Sequence, residues 1–291
     1  MHVVFGAGGR AGGATARALI QLGEAVRVVV RRPEQAAEWK KAGAEVAIAT
    51  IEDVDALTDA LKGATAAFLL SPPPVAGDPF ERAARIGAAL AEGVRRSGLP
   101  RAVVLSSVGA QHASGTGVIA TLHQTESALA GTAPAVAFLR PGYFVETWSE
   151  VAGLALAEGV LPTFVDPDFK FPMVSAADVG RAAAELMREH WTGDRIVELS
   201  GPEDWSARDV AAAFGQAVGR QVEPAFVPAE QRSGMLAAAG VPEPVAMALL
   251  GMYDGISSGL VDLVPGAEHR RGTVPLTTAV ERIVADLRGA A

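Results

Sequence analysis

An α/β fold built on a doubly wound parallel sheet is predicted by three features of the sequence. The first is the N-terminal corner. An apolar run from Val3 to Phe5 leads into Gly6-Ala7-Gly8-Gly9-Arg10-Ala11-Gly12-Gly13, and then into an alanine-rich segment from Ala14 to Leu22. The run suits a buried strand, the alanine-rich segment suits a helix that Gly23 stops, and the glycines allow a tight turn between them. The second is the alternation of short apolar runs with helical patterns as far as Leu139, which calls for parallel strands with helices on both faces. The third is the fading of that alternation beyond Phe144, where helical segments rich in Met and aromatic residues follow. Together these give a Rossmann-type sheet with a small, mostly C-terminal α+β lobe.

The elements follow in order. Glu24 to Arg32 reads as the second strand, with Val26, Val28, Val29 and Val30 before Arg31-Arg32-Pro33. Gln35 to Ala42 is helical, Ala44 to Ile48 a third strand, and Glu52 to Leu61 an amphipathic helix ended by Gly63. Ala64 to Leu70 is a fourth strand closed by Ser71-Pro72-Pro73-Pro74. Asp78 as N-cap and Pro79 as first helical residue open a helix that runs to Gly98. Ala102 to Leu105 is the fifth strand, ending in Ser106-Ser107-Val108-Gly109. His112 to Gly117 is a polar loop, Ile119 to Leu129 a helix, and Val136 to Leu139 the sixth strand, followed by Arg140-Pro141-Gly142-Tyr143-Phe144. Thr147 to Glu158 is helical with Gly159 as its stop, and Phe164 to Phe171 is mostly loop. Ala177 to Glu189 is a helix that Asp178 would cap, and Ile196 to Leu199 is a further sheet strand. Ser206 with Asp209 forms a capping box for the helix to Val218. Val222 to Val227 is a short strand. Helices around Met235, Met247 and Tyr253 and from Ala279 to Leu287 complete the chain.

Composition limits what the protein does. Of 291 residues 49% are hydrophobic and 20% charged, enough for a sizeable core and against disorder. A formal net charge of -8 argues against nucleic acid or an anionic membrane surface as partner. The absence of cysteine excludes disulfides, thiol nucleophiles and cysteine-ligated metals. His2, His112, His123, His190 and His269 lack metal-ligand spacing, so no metal is expected. No apolar run reaches the length of a membrane span. The first strand begins almost at Met1, leaving no room for a signal peptide, and the expectation is a cytoplasmic monomer or homodimer.

The glycines at Gly6, Gly9 and Gly12 are spaced as a dinucleotide fingerprint, at a strand-to-helix corner where unpaired backbone N–H groups attract a pyrophosphate. Gly6, Gly8, Gly9, Ala11 and Gly12 are the expected contacts. The end of the second strand meets the adenosine ribose. An acid there selects NAD, whereas arginine accommodates a 2′-phosphate; Arg31 and Arg32 therefore predict NADP(H) over NAD(H). Ligands lie outside the carboxyl ends of parallel strands, so Leu70, Ser71, Pro72, Ser106 and Ser107 are further expected contacts.

Several stretches together resemble the NmrA-like branch of the atypical short-chain dehydrogenases/reductases: VVFGAGGRAGG, VRVVVRRPEQA, AFLLSPP, VVLSSVGA, LHQTE, FLRPGYFVETW and VSAADVGRAAA. AAGVPEPVAMALLGMYDGISSG and GTVPLTTAVERIV resemble the C-terminal part of the quinone-reductase and triphenylmethane-reductase subgroup. The resemblance covers nearly the whole chain. It implies an NADP-binding Rossmann domain of residues 1–145 plus about 173–200, and a substrate lobe of about 146–172 plus 201–291. It places Arg10 where the family's loop reaches the phosphates and Arg31 at the arginine ending the second strand. Gln35 departs from a common lysine, with Arg32 as its replacement, and Thr50 departs from a common aspartate near adenine.

The usual serine–tyrosine–lysine relay is absent, because neither Tyr143 nor Tyr253 has a lysine four residues on. The resemblance places His123 near the nicotinamide side of the cleft. The residues present suit direct hydride transfer to an electron-poor aromatic or conjugated acceptor: a quinone, azo compound, iminium dye or enone. His123 either donates a hydrogen bond or proton to the acceptor, or is a helix-face histidine bonded to Glu126 or to backbone. Tyr143 either stacks on nicotinamide or substrate, or packs between sheet and lobe. Two other readings stand beside the reductase: a non-catalytic NADP(H)-binding redox sensor, and a dedicated biosynthetic imine or enone reductase.

Overall fold

The computed structural model describes residues 1–289. From the N-terminus the chain alternates β1 (His2–Phe5), α1 (Arg10–Gln21), β2 (Val26–Val30), α2 (Ala36–Lys41), β3 (Glu45–Ile48), α3 (Val54–Leu61), β4 (Ala66–Leu70), α4 (Pro79–Ser97), β5 (Arg101–Leu105), α5 (Ala120–Leu129) and β6 (Ala135–Pro141). There follow β7 (Tyr143–Phe144), a 3-10 turn at Val145–Glu150, α6 (Ala152–Glu158), β8 (Val160–Thr163), β9 (Phe171–Val174), α7 (Ala176–Arg188), β10 (Gly193–Ser200) and β11 (Asp204–Trp205). The last part holds α8 (Ala207–Val218), β12 (Glu223–Phe226), α9 (Ala229–Ala238), α10 (Glu243–Ser257), β13 (Glu268–Arg271) and α11 (Leu276–Gly289).

The large sheet has eight strands in the order β13-β10-β6-β5-β4-β1-β2-β3, all parallel. Such a sheet is covered on both faces, so its central strands are apolar throughout rather than alternating. One face packs Val4, Val28 and Phe68 against Leu19 of α1 and Val179 of α7. The other packs Phe5, Leu69 and Val104 against Leu57 of α3 and Leu90 of α4. A third core lies in the lobe, where Trp148, Phe171, Trp205, Phe214 and Val280 pack together. Among the described residues no helix is long and apolar enough to cross a membrane.

Several elements differ from the sequence reading. Helix α1 starts at Arg10 rather than Ala14, because the glycine run itself takes helical geometry behind Gly9 as N-cap. Ser175, not Asp178, caps α7, its Oγ accepting from Ala177 N at 3.1 Å. Asp178 is fully buried and accepts from Thr273 N at 3.1 Å and Val274 N at 3.0 Å, which ties α7 to the loop before α11. The stretch expected to be one helix from Thr147 is split into the 3-10 turn and α6. Strand β13 lies in the span assigned to the lobe, yet it forms the outer edge of the large sheet. Its Glu268-His269-Arg270-Arg271 has no apolar signature because an edge strand is half solvated; Glu268 pairs there with Arg195 of β10. The capping box at Ser206 and Asp209 is formed.

Candidate active site

Strand order reverses between β1 and β4, and the crevice outside their carboxyl ends is where such sheets bind ligands. Gly6 leaves β1 at φ +66°, a conformation that L side chains avoid, and its carbonyl accepts from Gly9 N at 2.8 Å. A Cβ at Gly12 would lie 2.4 Å from Gly6 O and 2.5 Å from Phe5 O, so only glycine lets α1 close onto the strand end. A Cβ at Gly9 would meet only Gly6 O, at 3.4 Å, and the space above Gly9 is open. Gly8 and Gly9 are exposed, Ala11 is buried behind them, and the first turn of α1 has no acidic side chain. The corner is thus an accessible helix N-terminus without acidic side chains, which favours an anion.

Arg10 stands at the rim. Its guanidinium donates to Ser149 Oγ at 2.9 Å and lies 3.7 Å from Glu150, bridging the glycine loop to the 3-10 turn. Arg31 and Arg32 follow β2 and are exposed. Gln35 leans over the loop: a Cβ at Gly8 would lie 2.7 Å from its Nε2. Leu70 borders Gly6, and Ser71 and Pro72 continue along the same rim, half-buried.

At the ends of β5 and β6 lies a buried polar clamp that the sequence reading missed. Arg140 is 5% exposed and Glu126 8%. They pair through two hydrogen bonds, Arg140 Nε to Glu126 Oε1 at 2.8 Å and Nη2 to Oε2 at 2.6 Å. Ser106 Oγ also donates to Glu126 Oε1, so this hydroxyl is committed to the clamp. Ser107 is half-buried, and its Oγ donates to Val108 O at 2.9 Å. The signal for the clamp was a charged residue directly after the apolar run of β6, since a buried charge needs a partner.

His123 donates from Nδ1 to Ala110 O at 2.9 Å, in the loop after β5. Its neutral form therefore presents Nε2 as an acceptor, and only the imidazolium can donate from that side. The ring lines an open depression of about 720 Å³ between α5 and β10, with Ser127, Phe138, Arg140 and Ile196. Neither the glycine loop nor Tyr143 lines that depression.

Tyr143 projects from the segment after β6 into an aromatic wall. Its ring meets Trp148 edge-on at 6.1 Å and Phe171 at 5.7 Å, and Phe164 packs edge-on against Tyr253 at 5.1 Å. The Tyr143 and Tyr253 hydroxyls are 3.1 Å apart. Burial raises both phenol pKa values above the ordinary 10, Tyr143 furthest, so both keep their protons near neutrality. Among the described residues no cluster of three metal-ligating side chains occurs.

Comparison with known proteins agrees with this architecture. The model of the NmrA-like family matches residues 2–258. The (4-alkanoyl-5-oxo-2,5-dihydrofuran-3-yl)methyl phosphate reductase of Streptomyces griseus subsp. griseus is 31% identical over 277 residues, 94% of this chain and 93% of that protein. Quinone oxidoreductase 2 of Escherichia coli is 28% identical over 261 residues, 89% of each chain. The triphenylmethane reductase of Citrobacter sp., solved in complex with NADP(H), superposes with a TM-score of 0.80 at 22% identity, covering 97% of this chain and 100% of that one.

Proposed function

The chain belongs to the NmrA-like family, and from that premise we propose that it is an NADPH-dependent reductase that passes hydride to an electron-poor conjugated acceptor, with quinones and enones as its substrate class. The observation that carries this reading is the open helix N-terminus at Gly9, free of acidic side chains and backed by the exposed Arg31 and Arg32. A dinucleotide fits these residues. Gly6, Gly8, Gly9, Arg10, Ala11 and Gly12 would hold its pyrophosphate, and Arg31 with Arg32 its 2′-phosphate. Leu70, Ser71, Pro72 and Ser107 would border the rest. When bound, the reduced nicotinamide supplies the hydride.

The chain's own side chains supply orientation and a dry wall. The aromatic cluster around Tyr143 offers flat apolar surface to a planar acceptor. A quinone takes one hydride and one proton to become a hydroquinone, and the ring itself holds the incoming electrons. An obligatory general acid is therefore not required, which agrees with the lack of a tyrosine–lysine relay. His123 acts at one remove by holding the loop at Ala110. The relatives named as a quinone oxidoreductase and as a reductase of an oxo-dihydrofuran both reduce conjugated carbonyl systems by name, which supports the same acceptor class here. The protein is proposed to work in the cytoplasm on small molecules.

The test is oxidation of NADPH by the purified protein with 1,4-naphthoquinone, an enone and a cationic triarylmethane dye. Turnover with one or more of them is expected. Tight NADPH binding with no turnover on any acceptor would instead leave the sensor reading.

A further inference from the structure

We propose that the Tyr143–Tyr253 pair is the hydrogen-bond donor to the acceptor's carbonyl oxygen, with Tyr253 the positioning residue that aims the Tyr143 hydroxyl. The proposal rests on the reductase reading above. Each phenol has one proton, and the bond between them, at 3.1 Å, uses one of the two. Among the described residues neither hydroxyl has another hydrogen-bonding partner, so one O–H is left over. Both rings are half-buried, so this donor is open to a ligand that reaches the aromatic wall. Trp148, whose ring lies 6.1 Å from that of Tyr143, adds a buried indole N–H that also lacks a partner.

The location fits the acceptor. Tyr143 follows β6, whose carboxyl end borders the crevice, while Tyr253 comes from α10 in the lobe. The Tyr143 ring packs edge-on against Trp148 of the 3-10 turn, and the next two residues of that turn, Ser149 and Glu150, hold Arg10 of the glycine loop. The pair thus stands beside the element proposed to hold the dinucleotide. Burial makes either phenolate unfavourable, so the pair donates a hydrogen bond and keeps its protons. Negative charge grows on a quinone or enone oxygen as hydride arrives, and a fixed O–H donor in apolar surroundings favours that charge. The proton that completes the product comes from solvent. A cationic dye without a carbonyl gains nothing from the donor, so the pair selects conjugated carbonyl acceptors over cationic ones.

Tyr143→Phe, Tyr253→Phe and the double variant test this with two readouts: calorimetric binding of 1,4-naphthoquinone and of a cationic triarylmethane dye without NADPH, and single-turnover reduction of each with NADPH. Each single variant is expected to weaken naphthoquinone binding about twofold to tenfold. The double variant should be no worse than Tyr143→Phe alone, and dye binding should be unchanged. Equal losses for dye and quinone would make the pair mere packing and overturn the proposal. So would additive losses in the double variant, or an unaffected Tyr253→Phe. Phenol-dependent binding of naphthoquinone by a wild type that never oxidises NADPH would support the donor pair while defeating the reductase reading. Wild-type turnover indifferent to both phenols would defeat the pair alone. A wild type that binds no naphthoquinone would defeat both.

Discussion

Gly9 and Gly12 illustrate how two identical residues in one loop answer to different constraints. Gly12 is required by the fold, because a Cβ there meets backbone oxygens at 2.4 and 2.5 Å. Gly9 has no such fold constraint, because its Cβ direction is open except for Gly6 O at 3.4 Å, and its proposed constraint is the ligand. Gly9→Val should abolish dinucleotide binding by calorimetry with an unchanged circular dichroism spectrum, whereas Gly12→Val should lower the melting temperature. Tight binding by Gly9→Val would show that the phosphates lie elsewhere. Arg31→Ala should weaken NADPH about tenfold to a hundredfold, the worth of one charge-assisted hydrogen bond, and leave NADH nearly unchanged; equal losses would remove the 2′-phosphate role. His123→Ala should slow quinone reduction about tenfold or less, below the roughly hundredfold to ten-thousandfold of a general acid, because its Nδ1 is committed to Ala110 O. Steady-state rates with NADPH affinity measured separately decide it, and a thousandfold loss confined to the quinone would make His123 the proton donor. At this scale the tight corner at Gly6 and Gly12 was legible because one residue type is needed at one spacing. The settings of His123 and Ser106 were not, because their partners stand 13 and 20 residues away.

Elements were legible where their own residues fix them. Asp78 and Pro79 open α4 and Gly98 ends it in the left-handed region, as local capping chemistry dictates. Strand β13 was not, since its charged residues form a strand only by pairing with β10. The same dependence on remote partners hid the clamp that joins α5 to β6. Glu126 and Arg140 are both buried, and each neutralises the other. Arg140→Met leaves a buried carboxylate alone and should cost about 3–5 kcal/mol of unfolding free energy in urea. Glu126→Leu with Arg140→Met removes both charges and should recover most of that loss, as apolar replacement of a whole buried pair often does. A double variant no more stable than Arg140→Met would mean that the clamp's hydrogen bonds, Ser106 included, matter more than its charge balance.

For the whole molecule, stability against pH depends in part on groups on different elements whose pKa values move in opposite directions. His2, buried on β1, and His269, exposed on the edge strand β13, are pushed below the ordinary 6.5, chiefly by desolvation. The unfolded chain therefore binds more protons than the folded one just below pH 6.5. Their contribution is complete above that pH and is lost as pH falls through the folded values. Glu198 on β10 behaves oppositely. It is wholly buried, its Oε2 accepts from Val264 N at 2.8 Å, and its Oε1 has no partner. Burial raises its pKa above 4.5, with the field of Asp262 in the same direction and Arg140 and the Val264 bond opposing. The folded chain then holds the extra proton, so stability is complete below pH 4.5 and declines as pH rises through the folded value. Glu198→Gln keeps an acceptor for Val264 and removes the charge. It should raise the urea midpoint at pH 7 and leave it nearly unchanged at pH 4.5. An equal gain at both pH values would trace the effect to packing between β10 and the loop before β13, and a loss at pH 7 would mean that the ionised Glu198 is held by Arg140 after all.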